Sequence, residues 1–233
     1  MASVVETRAH PAAKRASAAP ARRQRLDRDR ILRVALRFVD EHGLQALSMR
    51  KLAAELGVEA MSLYNHIENK DDILEGIVQL VFSEIESPPD DEGDWKQRTR
   101  QVAHAARDVL SQHPHVVSII VSSSRPTPAF LHLAEEIVGT FRRAGFDEDL
   151  AHHAWHSLGA HVLGYVADRW TPGRRGSTEH GEETASLVTA STDEFPNLAA
   201  IAPYLATCEP VDEFDFGIDV ILTGLQAKLD ARR

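Results

Sequence analysis

The sequence predicts an all-α fold, with a three-helix helix-turn-helix unit near the N-terminus and a larger helical domain after it. Apolar residues recur at helical spacing along most of the 233 residues, and no segment alternates apolar and polar residues as a strand does. Capping residues and glycine stops bracket the periodic stretches. The length is sufficient for one large domain or two smaller ones.

The first four predicted helices lie close together in the sequence. Residues 1–25 are rich in Ala, Arg, Ser and Pro, a composition that predicts a disordered basic arm. Helical periodicity begins at Leu26, and Gly43 ends the first helix. Ser48 is expected to cap the second helix and Asn69 the fourth. Between them, a short third helix is predicted from residue 60.

The remainder of the chain is also predicted to be helical, with nine or ten helices in total. The fourth helix should continue to the Pro88-Pro89 pair, and Thr127-Pro128 should start a later one. Residues 171–194 are rich in Gly, Ser, Thr and Glu, which predicts a mobile loop. The later helices are expected near 95–112, 116–121, 128–144, 147–170, 197–205 and 212–229.

The charge of −9 is unevenly distributed. The first 30 residues hold eight basic and three acidic side chains, whereas residues 73–233 hold 13 basic and 25 acidic ones. This asymmetry indicates a basic arm for a polyanion and an acidic body, although a merely solvated tail has the same composition. A single cysteine, Cys208, excludes an internal disulfide. The sequence has no apolar span or leader, so we expect a cytoplasmic protein without membrane contact.

Residues 47–66 carry the functional signal. They form a predicted helix, a tight turn at 57–59 and a short helix, which is the plan of a helix-turn-helix. Hydroxyl, amide and imidazole groups on the short helix suit hydrogen bonds to phosphates and base edges. An ordinary helical hairpin would give a similar pattern, but the basic arm and the helix at 27–42 favour a DNA-binding module.

The stretch LDRDRILRVALRFVDEHGLQALSMRKLAAELGVEAMSLYNHIENKDDILEGIV, within a resemblance that covers roughly residues 26–85, looks like the DNA-binding domain of the tetracycline-repressor (TetR) family of bacterial transcriptional regulators. Its ordered pattern, G-x-x-x-L-S-x-R-x-L-A-x-x-L-G-V followed by S-L-Y-x-H-x-x-N-K, is specific. Fainter similarity to the C-terminal domain of the tetracycline repressor occurs at 124–126 and 214–225. The resemblance implies a domain order of basic arm (1–25), DNA-binding domain (26–72) and ligand-binding and dimerisation domain (73–233).

The resemblance further implies a homodimer that places one recognition helix per subunit in successive major grooves of a palindromic operator. A small-molecule inducer would bind in the C-terminal domain and separate the two recognition helices, so we expect a repressor. The positions that match the family's DNA contacts are Ser48, Met49, Arg50, Ala60, Met61, Ser62, Tyr64, Asn65, His66 and Lys70.

Two departures from the tetracycline repressor concern the inducer. Glu86 and Val121 stand where that protein has a histidine near the end of the fourth helix and a magnesium-binding histidine. We therefore expect a less polar inducer than a magnesium–tetracycline complex. The resemblance places the ligand site among helices that carry the following candidate contacts: His104, Val121, Phe141, Trp155 and His156. The apolar helices at 147–170 and 212–229 are predicted to form a four-helix dimer interface.

Two other functions stay open on the sequence alone. His152 and His156 share a helical face at i,i+4 spacing, which would suit a metal-sensing regulator. Histidines on a polar helix face or at a dimer interface would give the same pattern. An all-α enzyme is the weaker alternative because no nucleophile–base pair or phosphate loop is present. No motif calls for a cofactor, and we expect none.

Overall fold

The computed structural model describes residues 25–88, 94–123, 125–169, 177–207 and 210–232. Over these ranges the chain forms eleven α-helices and one short 3₁₀ helix, which confirms the all-α prediction. The α-helices are α1 (Arg28–His42), α2 (Met49–Leu56), α3 (Ala60–Leu63), α4 (Lys70–Ser83), α5 (Trp95–Gln112), α6 (Pro114–Ser122), α7 (Pro128–Arg143), α8 (Glu148–Arg169), α9 (Ser177–Ala190), α10 (Pro196–Thr207) and α11 (Pro210–Asp230). The 3₁₀ helix covers Leu44–Ala46. Apart from Arg25, the predicted basic arm lies outside the described residues.

Side-chain caps define where several helices begin. The Ser48 hydroxyl accepts a hydrogen bond from the Lys51 amide at 3.3 Å, at the start of α2. The Asn69 side chain accepts one from the Asp72 amide at 3.0 Å, at the start of α4. Because these bonds satisfy amides that have no partner inside the helix, they fix the first residue of each helix, and both predicted caps are confirmed. The predicted Thr127 cap of α7 is confirmed in the same way.

Helices α1, α2 and α3 and the first half of α4 (residues 70–77), here called the head, pack around a closed apolar core. Ile31, Leu52 and Leu63 are fully buried within it. Gly76 of α4 lies so close to Leu32 of α1 that a Cβ atom at this glycine would collide with the leucine side chain. The two helices can therefore approach this closely only because residue 76 has no side chain.

The rest of the chain, here called the body, is built around α5, α7 and α8. Helix α8 packs against α5 and α7 on one side and against α11 on another. Helices α9 and α10 pack chiefly on each other, with Val188 and Ala202 buried between them. Within the described ranges, no helix combines the length and apolar character that are needed to cross a membrane.

The structure corrects two predicted boundaries. Residues 177–190 form α9 rather than part of a mobile loop, and the described ranges hold eleven α-helices instead of the nine or ten expected. Residues 171–176 of the predicted loop lie outside the described residues. The sequence of 177–190 hid this helix because only a few apolar residues face α10 and polar residues cover the rest. Helix α4 ends at Ser83, five residues before Pro88, and not at the Pro88-Pro89 pair. The residue before a proline avoids the helical conformation, which keeps Ser87 out of the helix.

Candidate DNA-binding surface and ligand cavity

The short helix α3 is held to the head by its last turn. Leu63 is fully buried and Ile67, which follows the helix, is 1% exposed. The Leu63 carbonyl accepts hydrogen bonds from the amides of His66 and Ile67, both at 2.9 Å. These contacts keep the four-residue helix in place, and the opposite face stays free. On that face Met61 is 72% exposed and Tyr64 48% exposed.

The structure places the ten candidate DNA contacts at the starts of α2 and α4 and on α3 with the residues that follow it. Ser48, Met49 and Arg50 begin α2, and Lys70 begins α4. None of the ten is buried. The starts of α2 and α4 also present helix amides to solvent, and such amides attract phosphate groups. The assignment of these residues to DNA contact stays a prediction.

Arg28 joins the first helix to the start of α4. Its guanidinium donates two hydrogen bonds to the Asp72 carboxylate, at 2.9 and 2.5 Å, and a longer one to the His66 carbonyl at 3.4 Å. The bond to Arg28 lowers the pKa of Asp72, and its reciprocal raises the pKa of Arg28. The Glu68 amide donates to the same carboxylate. This ion pair fixes the loop between α3 and α4, and sequence reasoning missed it.

A cavity of about 70 Å³ lies in the body between α4, α5, α6, α7 and α8. All of its lining residues are apolar. Three of the lining residues form a row of neighbouring aromatic rings. The ring centroids of Phe82 (α4) and Phe130 (α7) are 5.3 Å apart, and those of Phe130 and Trp155 (α8) are 5.7 Å apart. Gly159, also on the wall, would leave an added Cβ atom with no neighbour within 4 Å. We call this space the apolar cavity.

Of the five candidate ligand contacts, Trp155 lines the apolar cavity and the other four lie elsewhere. Phe141 is fully buried against Trp95 and Phe146. Val121 is 71% exposed on α6. The sequence contained the aromatic residues of the cavity but no signal that separated them from ordinary core residues.

The two histidine candidates lie outside the apolar cavity. His104 has its Nε2 atom 2.9 Å from an Asp215 carboxylate oxygen and its ring edge against Phe214. His156 is exposed on α8, and its ring lies 4.5 Å from that of His152. Across the described part of the chain, no three His, Cys, Asp or Glu residues are placed to share a metal ion. Thus nothing here favours the metal-sensing alternative.

Family comparisons identify both parts of the chain. The model of bacterial regulatory proteins of the tetR family matches residues 31–77, and the tetracyclin repressor-like C-terminal domain matches residues 87–229. The chain belongs to the TetR family. It is therefore a transcriptional regulator of the helix-turn-helix class, and members of this family are regulators rather than enzymes.

Individual relatives extend over nearly the whole chain. An HTH-type transcriptional regulator from Saccharopolyspora erythraea is 29% identical over 210 residues, covering 87% of this chain and 85% of that protein. The HTH-type transcriptional repressor DrrR1 of Streptomyces coeruleorubidus is 27% identical, covering 88% and 79%. The crystal structure of the Streptomyces coelicolor TetR family protein ActR in complex with actinorhodin has a TM-score of 0.78 and 26% identity, covering 88% and 97%.

Proposed function

We propose that this TetR-family regulator is a repressor that binds a palindromic operator as a homodimer and is released when a small molecule occupies the apolar cavity. The observation that carries the proposal is the exposed face of α3, which is anchored by Leu63 beside the exposed starts of α2 and α4. Tyr64, Asn65 and His66 would contact bases or phosphates, and Lys70 would hold the backbone. The site of action is then the bacterial cytoplasm, where the operator lies.

The dimer would form through α8 and α11. These helices pack together within one subunit, yet α11 leaves Phe216 72% exposed and Val220 56% exposed. Large apolar side chains on one helix face favour burial against a partner. A four-helix interface from two subunits would cover them and place two recognition helices about 34–36 Å apart, one turn of DNA.

The apolar cavity supports the ligand response. At about 70 Å³ it is far smaller than the roughly 300–1,000 Å³ of a usual ligand site, so a ligand must widen it. Phe82 lies near the end of α4, and Lys70 at the start of the same helix belongs to the surface proposed to contact DNA. Widening would therefore displace α4 and favour a dimer whose recognition helices no longer fit the operator. The related ActR binds actinorhodin, and we expect a predominantly apolar, aromatic ligand here rather than magnesium–tetracycline.

Selection of bound sequences from random DNA tests the repressor proposal directly. We expect a palindrome with half-sites one helical turn apart, bound by two chains. Replacing both Tyr64 and Lys70 by alanine should weaken binding by about 100-fold, because a base contact and a phosphate contact are lost. The affinity would be measured by fluorescence anisotropy at fixed salt.

The matched control replaces Tyr204 and Lys96 by alanine. Tyr204 is 71% exposed on α10, and Lys96 lies on α5, so the same side-chain types are lost away from the proposed surface. Operator affinity should not change in this control. Equal losses in the two double variants, or a selection that yields no recurring sequence, would contradict the proposal.

A further inference from the structure

A cluster of titratable side chains joins three helices where the head meets the body. Helix α6 packs against both α1 and α4. His113, which directly precedes α6, has its Nδ1 atom 2.9 Å from a carboxylate oxygen of Asp40 on α1. Its Nε2 atom lies 3.5 Å from a carboxylate oxygen of Glu84, which directly follows α4. One imidazole ring therefore lies between two carboxylates that belong to different helices.

The charge of the Asp40 carboxylate is balanced through this ring. The Asp40 side chain is 23% exposed, and its Oδ2 atom is the one that contacts His113. Among the described residues, its Oδ1 atom is buried and has no hydrogen-bond partner. A carboxylate that is removed from water is costly unless a cation or several donors face it. The protonated imidazole supplies the missing positive charge.

The number of hydrogen bonds that the ring can donate changes with its charge. A protonated imidazole donates from both nitrogens, whereas a neutral one donates from one nitrogen and presents a lone pair on the other. Protonated His113 can thus bind Asp40 and Glu84 together, and neutral His113 can donate to only one of them. Asp40 keeps the bond because it is closer and less exposed. Loss of the proton therefore releases Glu84 and, with it, the end of α4.

The charged groups that face His113 in the described part of the chain are both acidic, Asp40 from α1 and Glu84 from the end of α4. The neighbouring histidines have other contacts: His42 stacks on a phenylalanine of α1, and the His115 ring lies beside the glycine that ends α1. The hydrogen bond to Asp40 is the main cause of a raised pKa of His113, and partial burial acts against it. A rise from the ordinary value of about 6.5 brings a histidine pKa close to neutral pH.

We propose that His113 is a proton-operated latch, which holds the end of α4 when it is protonated and makes the entry of a ligand into the apolar cavity harder at acid pH. Phe82, two residues before Glu84, lines that cavity. A ligand that widens the cavity displaces α4 and separates Glu84 from His113, so ligand binding and protonation oppose each other. The effect on the ligand rests on the proposed function, whereas the latch itself concerns only this contact.

Hydrogen exchange of the full-length protein without any ligand tests the latch directly. Protection factors of residues 80–86, at the end of α4, are compared with those of residues 133–141 of α7, which report the stability of the body. In the wild type, the protection of 80–86 relative to 133–141 should fall about two- to fivefold between pH 5.5 and pH 8.5, because a partly exposed ion pair is lost. In Glu84→Gln this ratio should be low at both pH values.

Two further variants separate the latch from a general effect of charge. Glu86→Gln removes the same charge from an exposed position in the same segment and should keep the pH dependence of the wild type. Asp40→Asn weakens the attraction of His113 for its proton, so the fall in protection should move to lower pH. A purely structural role of Asp40 would change the protection equally at every pH and would not move the transition.

A neutral probe tests the effect on the cavity. N-phenyl-1-naphthylamine is aromatic, fluorescent and uncharged at both pH values, so its own charge cannot cause a pH dependence. The wild type should bind it about two- to fivefold more weakly at pH 5.5 than at pH 8.5, and Glu84→Gln should bind it equally at both. Gly159→Leu adds a bulky side chain to the cavity wall and should weaken the binding of the probe at both pH values.

The outcomes are distinct. A protection ratio of the wild type that does not change with pH, or that changes equally in Glu84→Gln, overturns the latch. Probe binding that is equal at the two pH values, or tighter at pH 5.5, overturns its effect on the cavity. If the probe bound at neither pH, the ligand site of the proposed function would fail, while hydrogen exchange without ligand would still decide the latch.

Discussion

The head and the body of this regulator are packed in different ways. In the head, Leu52, Leu63 and Ile77 are fully buried and Gly76 allows two helices to touch. In the body, α4 to α8 surround the apolar cavity. A closed core holds one geometry, whereas a core with unfilled space can change shape at lower cost. The difference fits a rigid reader of DNA joined to a sensor that adapts to its ligand.

Gly76→Ala tests the closed packing of the head and has the largest expected effect. The new methyl group would collide with the buried Leu32 side chain, and overpacking of a filled core costs about 1–3 kcal/mol. The free energy of unfolding, measured by urea titration, should fall by that amount. An unchanged or increased free energy of unfolding would show that the core of the head accommodates an added methyl group as readily as the body does.

Gly159→Ala makes the same substitution in the body and should have the opposite, smaller effect. An added Cβ atom meets nothing within 4 Å, so only the helical preference of alanine over glycine remains, a gain of about 0.5–1 kcal/mol. Urea titration measures this variant beside Gly76→Ala. If both variants lost stability equally, the proposed contrast between the two regions would be wrong.

The head was also the more predictable region. The caps at Ser48 and Asn69 depend on residues three positions away, so the sequence alone could identify them. The Arg28–Asp72 ion pair joins residues 44 positions apart, and no local sequence pattern predicts it. Long-range contacts of this kind are set by how helices pack, which is information that periodicity does not contain.

The ligand site was less predictable for the same reason. Phe130 and Phe141 lie on one helix and both read as apolar positions of α7. In the folded chain Phe130 lines the apolar cavity, while Phe141 is fully buried against Trp95. Only the positions of the neighbouring helices separate a cavity wall from a filled core.

A polar contact between the head and the body gives the prediction with the smallest expected effect on stability. His113, at the start of α6, has its Nδ1 atom 2.9 Å from Asp40 of α1 and its Nε2 atom 3.5 Å from Glu84, which follows α4. The hydrogen bond to Asp40 raises the pKa of His113, although partial burial works against this. When it is protonated, the imidazole forms ion pairs that tie α1 to the start of α6 and to the end of α4.

The sign of the pH dependence follows from that raised pKa. The contact contributes its full stability below the unfolded histidine pKa of about 6.5 and loses it as the pH rises through the folded pKa. His113→Gln should therefore lower the free energy of unfolding by about 1 kcal/mol or less at pH 5.5 and by less at pH 8.5. Urea titrations of the wild type and of His113→Gln at the two pH values measure the difference between their free energies of unfolding. If this difference grew with pH, neutral His113 would be making the stabilising contact. The contact between head and body would then not depend on protonation of His113.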